Sequence, residues 1–136
     1  MITIFKNLPI FISACIIGII LYQSLMIAPS INKLLTTQDA SIYLRYLWPK
    51  FFIIISILSF ISIVLIIYNS PDQKVAKILA LSSFLLMVLC YVIIPFMNDA
   101  KDNGKESIFI FLHAASMIMT LVTLIINFFI ITCWKY

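Results

Sequence analysis

The stretch Pro95-Phe96-Met97-Asn98-Asp99-Ala100-Lys101-Asp102-Asn103-Gly104-Lys105-Glu106-Ser107-Ile108-Phe109-Ile110-Phe111-Leu112-His113-Ala114-Ala115-Ser116 decides how this chain is folded. It holds three of the five acidic residues, one of the two glycines and the single histidine. An apolar run of helical length precedes it and another follows, so the polar segment between them reads as a link on one face of a membrane. Residues 98–106 have the composition of a solvated turn in which Gly104 supplies a positive φ and Asp102 or Asn103 caps the next helix. The segment lacks the alternating oxygen ligands and the glutamate at the twelfth position that a calcium loop requires.

Working outward, the whole chain shares this contrast. Its 136 residues are 64% hydrophobic and 10% charged, with a mean hydropathy of +1.18, whereas about a quarter of the residues in soluble domains are charged. Such a chain cannot cover its own apolar surface with polar groups, so lipid is its solvent. The length suits one transmembrane domain, residues 1–136, with spans at about 8–28, 51–68, 75–96 and 107–132. The predicted fold is all-α: a four-helix transmembrane bundle in up-down antiparallel order.

The first span opens after Lys6 and Asn7 and ends in bulky Leu25-Met26-Ile27 without a small-x-small cleavage site, so it reads as uncleaved. Ala14 and Gly18 lie one turn apart, a small-xxx-small pair that lets another helix approach. Pro29 is expected to kink or end this helix, although Ile31, Leu34 and Leu35 keep helical spacing beyond it. The segment 36–39 reads as a turn with Thr37 or Asp39 as cap, and Pro49 as a kink at the entry to the second span. Tyr43, Tyr46, Trp48 and the terminal Trp134-Lys135-Tyr136 are residues of the headgroup interface.

Four spans place both termini on one face, X, together with the turn at 69–74; residues 28–50 and the 98–106 link lie on face Y. Face X carries Lys6, Lys74, Lys77 and Lys135, and face Y carries Lys33, Arg45, Lys50, Lys101 and Lys105. Four against five gives no positive-inside orientation. No dense basic patch suits nucleic acid. Cys15, Cys90 and Cys133 are far apart, with neither a CxxC nor a metal-ligand spacing.

The topology brings Gln23, Arg45, Asn98 and His113 toward face Y at one depth or nearly so, with Gln23, Asn98 and His113 expected at similar depth and His113 facing the bundle interior. On the fourth helix His113, Ser116, Thr120 and Asn127 fall within about 60° of one another, a polar stripe that must face protein rather than hydrocarbon. Two readings follow for it: hydrogen bonds between helices, or a ligand, proton or metal site near His113. The binding candidates are Gln23, Asn98, Asp102, His113 and Ser116. A metal would rest on His113 with Met26, Met97, Met117 or Met119, a soft donor set. A haem held by two histidines is impossible within one chain that has one histidine. Ser116 one turn from His113 lacks a third group and an oxyanion loop. No P-loop, dinucleotide fingerprint or HExxH is present.

Pro95-x-x-Asn98, Asp102-x-Gly104 and Phe111-Leu112-His113-x-x-Ser116 resemble the signature near the last helix of transmembrane protein 205-like membrane proteins, a domain of unknown function of the DUF4149 type. Gly18, Gln23, Ala28-Pro29, Ala40 and Leu47-Trp48-Pro49-Lys50-Phe51-Phe52 resemble that family's front half. Ala114 stands where many relatives have Gly or Arg, and Trp48 where Phe is more usual. The resemblance implies a four-helix membrane protein with no settled activity and no assigned cofactor. A more distant likeness to copper-resistance-D-type membrane proteins implies metal handling. The function expected is therefore that of a multi-pass, non-enzymatic interaction or accessory protein in the membrane. Its partners would be the lipid bilayer and other membrane proteins or a second copy, not nucleic acid. The alternative is a metal- or cofactor-binding membrane protein or small transporter centred on His113 and Gln23.

Overall fold

A computed structural model describes residues 2–135, and side chains from Phe5 onward; Tyr136, assigned above to the interfacial anchor, lies outside the described residues. The helices are α1 (Ile2–Tyr22), a π-helical turn (Gln23–Ile27), α2 (Ala28–Leu34), α3 (Thr37–Asn69), α4 (Lys74–Asp102) and α5 (Glu106–Thr132). No strand occurs among the described residues. Four helical stretches are long and apolar enough to cross a membrane, the first running continuously from Phe5 to Leu34. Each packs against two neighbours in the cyclic order α1, α3, α4, α5, so sequential helices run antiparallel, and the diagonal pairs α1/α4 and α3/α5 have no Cα atoms within 8 Å of each other.

The buried positions show how the seams are built. On α4 they are Ala76, Ala80, Ser83, Met87, Cys90, Ile94, Met97 and Ala100, alternately four and three residues apart as far as Met97. Phe52, Ile55, Ser59, Ser62 and Ile66 repeat the spacing on α3, and Ser116, Thr123, Asn127 and Ile130 keep it on α5. This is the 3.5-residue repeat of left-handed bundles. Small residues recur on these seams because, without a hydrophobic force between helices in lipid, close backbone approach supplies the packing energy. One apolar cluster joins Ile12, Ile16 and Ile20 of α1 to Phe52, Ile55, Met87 and Cys90; a second, nearer face X, gathers Ile66, Ala76, Ala80, Ile130 and Trp134.

Pro29, Pro49 and Pro95 do not end their helices. Pro49 and Pro95 lie inside unbroken α3 and α4. Each removes one hydrogen bond to the carbonyl four residues earlier, a loss tolerated where the rest of the backbone stays paired within the helix. Pro29 acts upstream: the helix widens to a π turn closed by Ala28 N–H donating to the Gln23 carbonyl, which relieves the proline ring of the Leu25 carbonyl it would meet. The cap of α3 is Thr36, whose Oγ1 accepts from Asp39 N–H at 3.2 Å, in place of Thr37 or Asp39.

The polar link is shorter than its composition suggested. Asn98 to Asp102 complete α4, leaving Asn103, Gly104 and Lys105 as the turn. Gly104 has φ +67°, as expected of it. Asn103 closes the end of α4, its amide donating to the Asp99 carbonyl at 3.0 Å, and neither it nor Asp102 caps α5, whose flanking residue is Lys105. Ala14 and Gly18 face outward, and a Cβ on Gly18 would meet nothing within 4 Å, so no helix of this chain uses the pair.

Candidate functional site

At 1.5 Å per residue, the 33 residues of α3 and 29 of α4 reach about 50 and 44 Å, more than the ~30 Å hydrocarbon core. The polar first turns of α3 and last turns of α4 are therefore the parts of these helices suited to the headgroup layer of face Y. There Arg45 grips Asp102, one guanidinium nitrogen on each carboxylate oxygen, with Nη1 to Oδ2 at 3.0 Å. The hydrogen bonds from Arg45, and then the charges of Arg45 and Lys101, hold the Asp102 carboxyl below the usual carboxylate range. The bond to Asp102 likewise raises the Arg45 guanidinium above its ordinary value.

Below this pair a cleft of about 70 Å3 opens between α3, α4 and α5. From α3 it is lined by Ser41, Arg45 and Trp48; from α4 by Met97, Asn98 and Lys101; from α5 by Phe109 and His113. The aromatic residues are ordered among themselves. Trp48 stacks on Phe52 at 5.7 Å, Phe109 lies parallel to the His113 ring at 5.8 Å, and Lys101 Nζ stands 5.0 Å from the Phe109 ring centre. Tryptophan and lysine at this depth fit an interface between apolar and wet surroundings.

Of the residues singled out from sequence, the cleft unites Asn98 and His113. Asp102 stands at its rim through Arg45. Ser116 is buried one turn deeper, and its Oγ donates at 2.8 Å to the backbone carbonyl of His113, not to the imidazole. Gln23 does not line the cleft. It is buried within the π turn, one turn beyond core residue Ile20, and its amide nitrogen has no hydrogen-bond partner. Metal ligation finds a poor fit. Among the described residues no three His, Cys, Asp or Glu side chains gather. Of the four methionines, Met97 alone shares the cleft with His113, while Met26 and Met117 are exposed on outer faces.

Sequence reasoning singled out Asn127 but missed Ser59 and Ser83, which with it form a second polar layer, deeper and nearer face X. Ser59 and Ser83 share a hydrogen bond of 3.0 Å between α3 and α4, and Asn127 Nδ2 donates to Ser83 Oγ at 3.2 Å and to the Thr123 carbonyl at 2.8 Å. Thus the α5 stripe does face protein, but Ser116, Thr120 and Thr123 spend their hydroxyls on carbonyls of α5 itself. The hydroxyls of Ser13 and Ser62 are buried without a partner. The signal available was the serine spacing on α3 at 56, 59 and 62 within an otherwise Ile-rich run.

Face X is closed by a different set of bonds. Gln73 both donates to the Lys135 carbonyl and accepts from its N–H, Ser70 Oγ donates to the Lys6 carbonyl at 3.2 Å, and Trp134 Nε1 donates to Asn7 Oδ1 at 3.2 Å. The two ends of the bundle therefore differ: X is tied shut and Y holds the cleft.

Compared with known proteins, residues 11–106 match the family model described as Domain of unknown function (DUF4149). The match ends before His113. No curated protein and no solved structure matches the chain.

Proposed function

The chain belongs to the DUF4149 family, a domain of unknown function, and from that premise we propose that it works without chemistry of its own, as an accessory protein that meets other membrane proteins or a second copy through its spans. The observation that carries this reading is the outward Ala14–Gly18 pair on α1, a place where a foreign helix can approach closely and none of this chain does. Exposed Phe11 and Tyr22 flank it. The spent hydroxyl of Ser116 agrees with the absence of a role for it as a nucleophile.

Cys15, exposed beside Ala14, provides the test. In a Cys133→Ser background, oxidation in native membranes is expected to cross-link the chain through Cys15, to itself or to a partner of defined mass. Gly18→Leu should abolish the product by blocking the close approach. Cross-linking that survives Gly18→Leu, or no product at all, removes the support from α1.

The second reading, a metal- or cofactor-binding protein or small transporter centred on His113 and Gln23, draws on the copper-resistance-D likeness; the buried Gln23 amide nitrogen without a partner is a donor that suits an acceptor oxygen of a cofactor or substrate and not a metal. It requires a stoichiometric metal or a Soret band in the protein purified in mild detergent, lost in His113→Ala. A colourless, metal-free protein refutes it. A chain of four helices encloses little volume, so transport would in addition require self-association.

A further inference from the structure

We propose that the face Y cleft is a binding site for a phosphate-class anion at the headgroup level of the membrane, with Lys101 as its principal charge. Every polar side chain lining the cleft can present a hydrogen-bond donor: the Lys101 ammonium, the Arg45 guanidinium, the Asn98 amide, the Ser41 hydroxyl and the His113 ring. No carboxylate lines it. A wall of donors without a fixed acceptor is matched by a ligand that brings acceptor oxygens and negative charge.

The two cations are not equivalent. Asp102 occupies two of the five guanidinium N–H donors of Arg45 and fixes the group in place. Lys101 has no carboxylate within ion-pair distance among the described residues, so its charge is left for a ligand. It stands over the face of Phe109 at 5.0 Å, which holds a cation weakly at an exposed site and can hold it while it meets an anion.

Size and depth restrict the ligand further. A cleft of about 70 Å3 has room for one compact group of a few heavy atoms. The apolar side of the cleft, with Trp48, Met97 and Ile94, suits the ester end of a lipid phosphate. A free phosphate ion would offer the same oxygens from the aqueous side. The site is independent of how the spans associate, since it uses no residue of α1.

Trp48 lines the cleft and the only other tryptophan, Trp134, is at face X, so a Trp134→Phe chain reports on the site by its emission. The purified full chain in zwitterionic detergent is titrated with short-chain phosphatidic acid, with phosphatidylcholine of the same chain length and with inorganic phosphate. A saturable change with phosphatidic acid and none with phosphatidylcholine is expected, weakened about tenfold in Lys101→Gln and unchanged in Lys33→Gln, a face Y lysine that does not line the cleft. The same pattern with inorganic phosphate establishes the site with an aqueous source instead. No saturable change with either anion, or equal effects of Lys101→Gln and Lys33→Gln, overturns the proposal.

Discussion

Arg45, in the third turn of α3, holds Asp102, the last residue of α4, by both carboxylate oxygens across 57 positions of sequence. The pair fixes the polar extensions of two helices against each other where they leave the hydrocarbon. A carboxylate depressed in the folded chain adds stability that is complete above the ordinary carboxylate value, near about 4. That stability is lost as pH falls through the lowered folded value. Both side chains are exposed, so the effect is small and salt-screened. Asp102→Asn should lower the thermal midpoint slightly at neutral pH and low salt. The difference from wild type should shrink with added salt and disappear once pH is below the folded value; a difference that persists in acid has another source.

The Ser59–Ser83–Asn127 chain joins three helices in the interior. Interhelical hydrogen bonds between spans average about 0.6 kcal/mol, with a maximum near 1.7. Asn127→Ala should therefore cost about 1 kcal/mol, part of it from the space left behind. A double-mutant cycle with Ser83→Ala, read by reversible unfolding in mixed detergent, should return a coupling of about 0.6 kcal/mol. A coupling of zero would mean that the two side chains do not act together.

At face X, Gln73 holds the backbone of Lys135 by two reciprocal bonds. Gln73→Ala should cost about 1–2 kcal/mol, and its effect should be local. Hydrogen exchange at Lys135 and Trp134 is expected to accelerate, with protection in the middle of α3 and α4 unchanged. Loss of protection throughout the bundle would assign the bond a global role.

Pro29 is the cause assigned to the π turn. In Pro29→Ala the restored N–H can bond to the Leu25 carbonyl, and Ala28 N–H is expected to move from the Gln23 to the Ser24 carbonyl. The register change turns Gln23 by about 100° out of the interior. Backbone shifts of labelled Ala28 and solvent accessibility of a cysteine at position 23 would report it. A π turn that survives the substitution would trace instead to the packing of Gln23.

The candidate site was legible in part. Asn98 and His113 could be assigned to one face because span lengths fix depth, and they do meet in the cleft. Lys101, Trp48 and Phe109 complete it, and none was singled out as a site residue. Their role depends on which way α4 and α3 are turned, and α4 runs past Pro95 for two more turns. Gln23 was assigned by depth alone; burial inside a π turn is set by the helix geometry that Pro29 imposes, which residue spacing does not report. Ala14 and Gly18 show the converse, a small-residue pair at helix-approach spacing that no other helix among the described residues approaches.

What the amino-acid sequence alone determined is the number of spans, their up-down order, and which polar residues share a membrane face. These follow from hydropathy and length against a bilayer of fixed thickness, because each backbone polar group in hydrocarbon must be paired inside its own helix. Which face of each helix turns inward was decided only by tertiary structure. Ile, Leu and Phe are as well solvated by lipid as by protein, so they carry no inward signal. The choice falls to small residues that permit close approach and to a few polar pairs, Ser59 with Ser83, Asn127 with Ser83, and Arg45 with Asp102, that exist only once the helices are side by side.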